Sequence, residues 1–143
     1  MNRMILPTAM CFVIPLPPIT KKNSQQIMTN RATGKPFVSP SRQFKKYENA
    51  ALWYIPKHRY IDFPVNVQCL FYMPNRRKVD LTNLLEAIDD IMVKAGLLLD
   101  DNSTIIQSHD GSRVFFDKEN PRTVIRITKA ESADNKTSPE ATE

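Results

Sequence analysis

Between Arg76 and Asp101 the chain reads RRKVDLTNLLEAIDDIMVKAGLLLDD, and this stretch constrains everything around it. Of the 15 acidic residues in the chain, Asp80, Glu86, Asp89, Asp90, Asp100 and Asp101 fall here. Carboxylates this close raise one another's proton affinity unless something positive lies between them. In a basic protein a hard divalent cation suits that place, because such ions take oxygen ligands.

The middle of the stretch is an amphipathic helix. Leu81, Leu84, Leu85, Ile88, Ile91, Met92 and Ala95 recur at helical spacing and form one apolar face. Asp80 or Thr82 supplies the N-cap, and Gly96 is the stop. Asn83, Glu86, Asp90 and Lys94 line up on the other face. Asp89 lies nearer the apolar edge, where it suits a salt bridge to a basic residue. Asp80 stands at the helix start and Asp100 and Asp101 beyond its end, about 22 Å apart along a straight helix. Asp80 and Asp101 meet only if the segment after Leu97 folds back along the helix.

The order of a basic run, Asp-Leu-x-Asn-Leu, a helix, Lys-Ala-Gly, an apolar run and Asp-Asp resembles the RusA-type Holliday-junction resolvases. These are small homodimeric endonucleases of phages and prophages. The resemblance spans Val13 to Thr128 and is most specific in the central stretch. It implies that Asp80 and Asp101 bind Mg2+, with Mn2+ as a possible substitute. Asp100, Glu86 and Asp90 are then further ligands or supporting groups. A water made more acidic by the metal would hydrolyse the phosphodiester of a four-way junction in recombination and repair. The implied protein is a bacterial or phage-encoded homodimer in the cytoplasm, at the nucleoid. Two positions depart from the family pattern. Its second motif aspartate is Thr82 here, and its lysine one turn later is Glu86. Residues 82 and 86 face the same way, so the missing carboxylate can be regained from Glu86.

Composition agrees with a polyanion partner. Formal charge is +5, and the last 13 residues hold four of the acids against one lysine. The body from 1 to 130 therefore carries 19 basic and 11 acidic residues, a charge that favours DNA through counterion release. Arg76, Arg77 and Lys78 lead straight into Asp80. There they can hold flanking phosphates, or simply balance Glu86, Asp89 or Asp90. The polar run after the first strand, with Lys21, Lys22 and Asn23, can grip phosphate or be a solvated loop. Cys11 and Cys69 sit in apolar runs and read as two buried, reduced thiols. Two cysteines and two histidines without ligand spacing argue against zinc. No apolar run approaches the length of a membrane span.

In order, residues 1–9 form a loose leader and Met10 to Ile14 a strand stopped by Pro15. Thr33-Gly34 turns between two short strands, and Ser41 caps a helix through Phe44, Tyr47, Ala51 and Ile55 that Pro56 ends. Trp53 and Tyr54 read as core or dimer contacts. Residues 57–63 form a polar loop. Val65 to Met73 alternates as a strand and becomes apolar on both faces at its end, as a central strand does. Thr104 to Gln107, Ser112 to Phe116 and Arg122 to Thr128 are further strands, and His109 is an exposed turn residue rather than a base. The fold expected is a single α/β domain over residues 1–130, with a mixed sheet and two main helices, followed by a disordered acidic tail over 131–143. The leading function is a Mg2+-dependent, structure-selective endodeoxyribonuclease. The alternative is a branched-DNA-binding protein that Thr82 and Glu86 have left unable to cut. A calcium-binding structural protein is a weaker third, because EF-hand spacing is absent.

Overall fold

The computed structural model describes residues 2–3, 9–21, 25–57 and 59–130. Lys22, Asn23, most of the expected leader and the tail 131–143 lie outside them. The chain forms strands β1 (Asn2–Arg3), β2 (Ala9–Ile14), β3 (Gln25–Thr29) and β4 (Pro36–Pro40). Helix α1 (Arg42–Ala51), β5 (Arg59–Tyr60), β6 (Val65–Met73) and helix α2 (Leu81–Lys94) come next. The chain closes with β7 (Ile106–Ser108), β8 (Arg113–Phe116) and β9 (Arg122–Lys129). This is the expected mixed α/β domain with two helices.

The main sheet runs β2-β9-β6, and β6 carries β7 and β8 one after the other on its far side. β9 is antiparallel to both neighbours, while β7 and β8 run parallel to β6. The run Val65 to Met73 is central, as its late apolar residues imply. Val65, Val67, Cys69 and Phe71 point to one face and are essentially fully buried, together with Ile125 and Ile127 of β9. Phe44, Tyr47 and Ala51 of α1 and Leu84, Ile88, Ile91 and Met92 of α2 complete that core. Each fully buried Ile, Leu or Phe here contributes roughly 1.5–3 kcal/mol. The other face of the sheet is only partly covered. Cys11, on β2, points to that side and is exposed, so only Cys69 is the buried thiol the sequence suggested. Burial pushes the Cys69 thiol far up, which keeps it protonated and inert.

β6 has a gap in its ladder where its partner changes from β7 to β8. Side chains fill it. The Ser112 hydroxyl accepts from the Cys69 N–H at 3.0 Å, and His109 Nδ1 donates to the Val67 carbonyl at 2.8 Å. Asn66 Oδ1 accepts from the Ser108 hydroxyl at 2.6 Å and from the Asp110 N–H at 2.7 Å. The Val67 carbonyl and the Cys69 N–H are thereby satisfied in the gap.

The turn that makes this possible needs Gly111, whose φ is +84°; a Cβ there would stand 2.3 Å from the amide nitrogen of Gln68. The Gln68 side chain can swing aside, but the left-handed backbone cannot be relieved. Gly111→Ala is therefore expected to cost about 1–2 kcal/mol. Denaturant titration checks this, and a wild-type midpoint would show that the turn has another conformation open to it.

Smaller features follow the sequence with three corrections. Ser41 caps α1, accepting from the Phe44 N–H at 3.2 Å. β3 and β4 pair antiparallel around a turn where Gly34 has a φ of +69°. α1 ends at Ala51 and a 3-10 turn, Leu52–Tyr54, carries the chain outward. It leaves Trp53 83% exposed, so neither it nor the half-exposed Tyr54 belongs to the core. The expected polar loop 57–63 contains the short strand β5 and Ile61, which is fully buried and bridges to Leu98. Thr104 and Ile105 lie in a turn held by Asn102, so the strand there starts at Ile106.

Candidate active site

α2 presents the acidic residues, and its own ends decide how. Asp80 occupies the N-cap position, but its carboxylate does not cap a backbone N–H. The Asp80 carbonyl accepts from the N–H groups of Asn83 and Leu84, and Asp80 Oδ2 accepts from the Asn83 side-chain amide at 3.3 Å. Asn83 thus steadies the carboxylate of the residue one turn before it. At the other end Gly96, with a φ of +84°, reverses the chain. The Ile61 N–H donates to the Leu97 carbonyl at 2.7 Å, and the Leu99 N–H donates to the Ile61 carbonyl at 3.0 Å. Leu97 and Leu98 are buried, which fixes the return.

The return delivers Asp101 beside the later half of α2. The Asp101 carboxyl is pushed up by its partial desolvation, by the Asp100 side chain and by the charge of Asp90. Asp89 in turn feels both Asp101 and Asp90. Asp89, Asp90, Asp100 and Asp101 therefore lie within electrostatic reach of one another, without closing on a common point. Asp80 precedes Asp90 by ten residues, roughly 15 Å of helix. Among the described residues, no three His, Cys, Asp or Glu side chains converge closely enough to hold a metal between them.

Each member has a distinct environment. Asp100 Oδ1 accepts from the Asp101 N–H at 2.7 Å and its Oδ2 accepts from the Asn102 amide at 3.1 Å, so Asp100 shapes the turn that presents Asp101. Asp90 has the Lys21 ammonium at 3.5 Å, with both side chains partly exposed. Lys21 therefore stands at the acidic face of α2. Thr82 and Glu86 are both exposed, as their spacing requires.

Asp89 is different. It is buried, and His109 Nε2 lies 2.9 Å from its Oδ2 while its Oδ1 has no hydrogen-bond partner. A carbonyl can only accept, so His109 Nδ1 must carry the proton toward Val67. The Nε2–Oδ2 bond then needs a second proton, placed on either partner. The pair holds this proton tightly. Burial disfavours a charged imidazole, but the hydrogen bond and charge of Asp89 outweigh it, and His109 is raised above its ordinary 6.5. Burial raises Asp89 as well. His109 is thus a half-buried tie between β6 and α2, not the exposed turn residue the sequence suggested. An acid at the rim of an apolar helix face was the available signal, since a buried carboxylate needs a partner.

The basic run does not balance Asp89 or Asp90. Asp89 has His109 and Asp90 has Lys21. Arg76 stacks over the Phe116 ring at 4.3 Å, and Arg77 and Lys78 project exposed from the segment before α2.

Residues 15–128 match the family model described as Endodeoxyribonuclease RusA. The chain belongs to the RusA endodeoxyribonuclease family. It is 32% identical over 102 residues to the protein named Crossover junction endodeoxyribonuclease RusA of Aquifex aeolicus (strain VF5), covering 69% of this chain and 77% of that one. The matched span runs from the exit of β2 almost to the end of β9 and so includes both helices and the Asp100-Asp101 turn. As a RusA-family nuclease the chain acts on phosphodiester bonds of DNA. Among its described residues no helix is long and apolar enough to cross a membrane.

Proposed function

We propose that this RusA-family chain is a divalent-metal-dependent endonuclease that resolves four-way DNA junctions during recombination and repair. The observation carrying this reading is the return of the chain after α2, held by Ile61 on Leu97 and Leu99, which brings Asp100 and Asp101 within electrostatic reach of Asp90. It concentrates negative charge on a protein whose net charge is +5. The donor set is all carboxylate oxygen, which fits Mg2+, with Mn2+ as a substitute. Magnesium commonly takes only one or two carboxylates and completes its shell with water and substrate phosphate, so a closed protein cage is not required. Asp80 and Asp101 are the ligands we assign, with Glu86 and Asp90 assisting, but about 15 Å of helix separates Asp80 from Asp90, so Asp80 and Asp101 of one chain do not share one cation. Asp100 serves by holding the turn. Bound there, the cation supplies Lewis acidity at the scissile phosphate and acidifies water.

The chain's own residues do the rest. Arg77 and Lys78, with the Lys22 and Asn23 region, hold phosphates that flank the scissile one. Lys21 neutralises Asp90 until substrate or cation displaces it. Arg76 is steadied by Phe116 and reaches the backbone from a fixed platform. A homodimer would present two such sites to the two exchanging strands. We place the protein in the cytoplasm, at the nucleoid.

The test is a labelled synthetic four-way junction beside a linear duplex of the same sequence, in Mg2+, in Mn2+ and in EDTA. Paired symmetric nicks in the junction alone, absent in EDTA, are expected. Glu86→Gln tests the regained carboxylate: cleavage is expected to fall about 10–100-fold, the range for loss of a group supporting a metal site. Tight binding with no nick under any metal would favour the non-cutting alternative, in which Thr82 and Glu86 have disabled the site.

A further inference from the structure

A cavity of about 510 Å3 lies between the exit of β2, helix α1 and the segment from Met73 to Val79. Its volume falls within the roughly 300–1,000 Å3 of small-ligand sites. Pro17, Pro18, Ile19, Met73 and Val79 give it an apolar lining. Tyr47 also lines it, with a phenol directed to Thr123 that burial pushes up to about 12. Lys46, Arg77 and Lys78 also line it, all three exposed, and among the described residues no carboxylate does. A flat, apolar-faced ligand that carries negative charge at its edge matches this lining. A nucleotide has that form.

Two amides supply edge recognition. Gln43 lines the cavity with a side chain that offers both a donor and an acceptor. Asn75 Oδ1 accepts from the Arg77 N–H at 3.0 Å, which fixes the ring of atoms and leaves the Asn75 NH2 free to donate. The cavity wall ends at Val79, the residue before Asp80. A nucleotide that enters it therefore lies at the N-terminal end of α2, the end that carries Asp80.

We propose that this cavity receives one unstacked nucleobase of the DNA, with Arg77, Lys78 and Lys46 on its flanking phosphates and Gln43 and Asn75 reading its edge. The proposal rests on the branched-DNA reading above and deepens it. A base leaves the stack most readily where pairing is already disturbed, so a branch point favours the step. The cavity would thus both select branched DNA and set which sequence is cut.

The experiment uses four-way junctions with 2-aminopurine placed at each nucleotide around the branch point, in EDTA, with the full chain at saturating concentration. A fluorescence rise at one position is expected with wild type. Ala50→Phe fills the cavity from α1, and Gln43→Ala, on an exposed position, removes edge contacts without threatening the core. Ala50→Phe should abolish the rise and weaken binding about tenfold, the scale of one base–protein contact. Replacing the responding nucleotide by an abasic residue should weaken wild type similarly and leave Ala50→Phe unaffected. Gln43→Ala should keep the rise and flatten the preference among the four bases there. No rise at any position with the junction fully bound would overturn the proposal, as would an undiminished rise in a folded Ala50→Phe. A rise without cleavage in any metal would keep the cavity and sink the nuclease reading. Failure to bind branched DNA at all would sink both.

Discussion

Asp101→Asn and Asp80→Asn are each expected to slow junction cleavage by at least about a thousandfold while gel-shift binding stays within a few-fold of wild type. The argument is electrostatic. Asparagine keeps the shape of aspartate and removes the charge that holds a cation. A Lewis acid at the phosphate is worth several kcal/mol in the transition state, and each 1.36 kcal/mol or so is tenfold in rate. Binding survives because the carboxylates repel DNA; the cations hold it. Asp100→Asn separates shaping from ligation. Its oxygens already accept from the Asp101 N–H and the Asn102 amide, and an amide NH2 facing Asn102 would disturb only the turn. A loss of about tenfold is expected there, as for groups that orient a ligand. Single-turnover cleavage with each variant measures all three. Full-rate cutting by Asp101→Asn would remove the returned carboxylate from the mechanism, and equal losses at 100 and 101 would make Asp100 a ligand too.

The parts of this fold that could be read from sequence are those governed by local periodicity. α2 shows its apolar stripe and glycine stop, and β6 its alternation, because burial of one face imposes the spacing. The return after Leu97 was legible as a requirement, since two ends of one helix cannot otherwise approach. Where it would land was not: the pairing of Leu97 and Leu99 with Ile61 joins segments 36 and 38 residues apart, and residues 57–63 look polar around that single isoleucine. Asp101 therefore arrives beside Asp90. Cys11 as a buried thiol and Trp53 as a core residue misled for a common reason. Apolar character predicts burial only when something covers that side, and the described residues cover neither the outer face of β2 nor the 3-10 turn after α1. His109 was hidden by its turn sequence, because its two partners lie 42 and 20 residues away.

His109→Ala is expected to cost about 3–5 kcal/mol, lowering the melting temperature by about 10 °C or more, because it strands the buried Asp89 carboxylate and uncaps the Val67 carbonyl. Asp89 Oδ1 already lacks a partner, so the loss of His109 leaves the whole group unsatisfied. Asp89→Asn should cost much less. Its amide can donate to Nε2 of a neutral imidazole whose Nδ1 still donates to Val67. The two variants also differ in pH dependence. With His109 raised in the fold above its ordinary 6.5, the folded state holds a proton that the unfolded chain has released. The stabilisation is complete below about 6.5 and drains away as pH rises through the raised folded value. Thermal unfolding of the metal-free wild type should therefore show a decline in stability on the alkaline side of 6.5, and Asp89→Asn should flatten it. A wild-type profile with no such decline would mean that the pair keeps no extra proton. His109 would then be anchored through the Val67 carbonyl alone, and the tie between β6 and α2 would carry no charge.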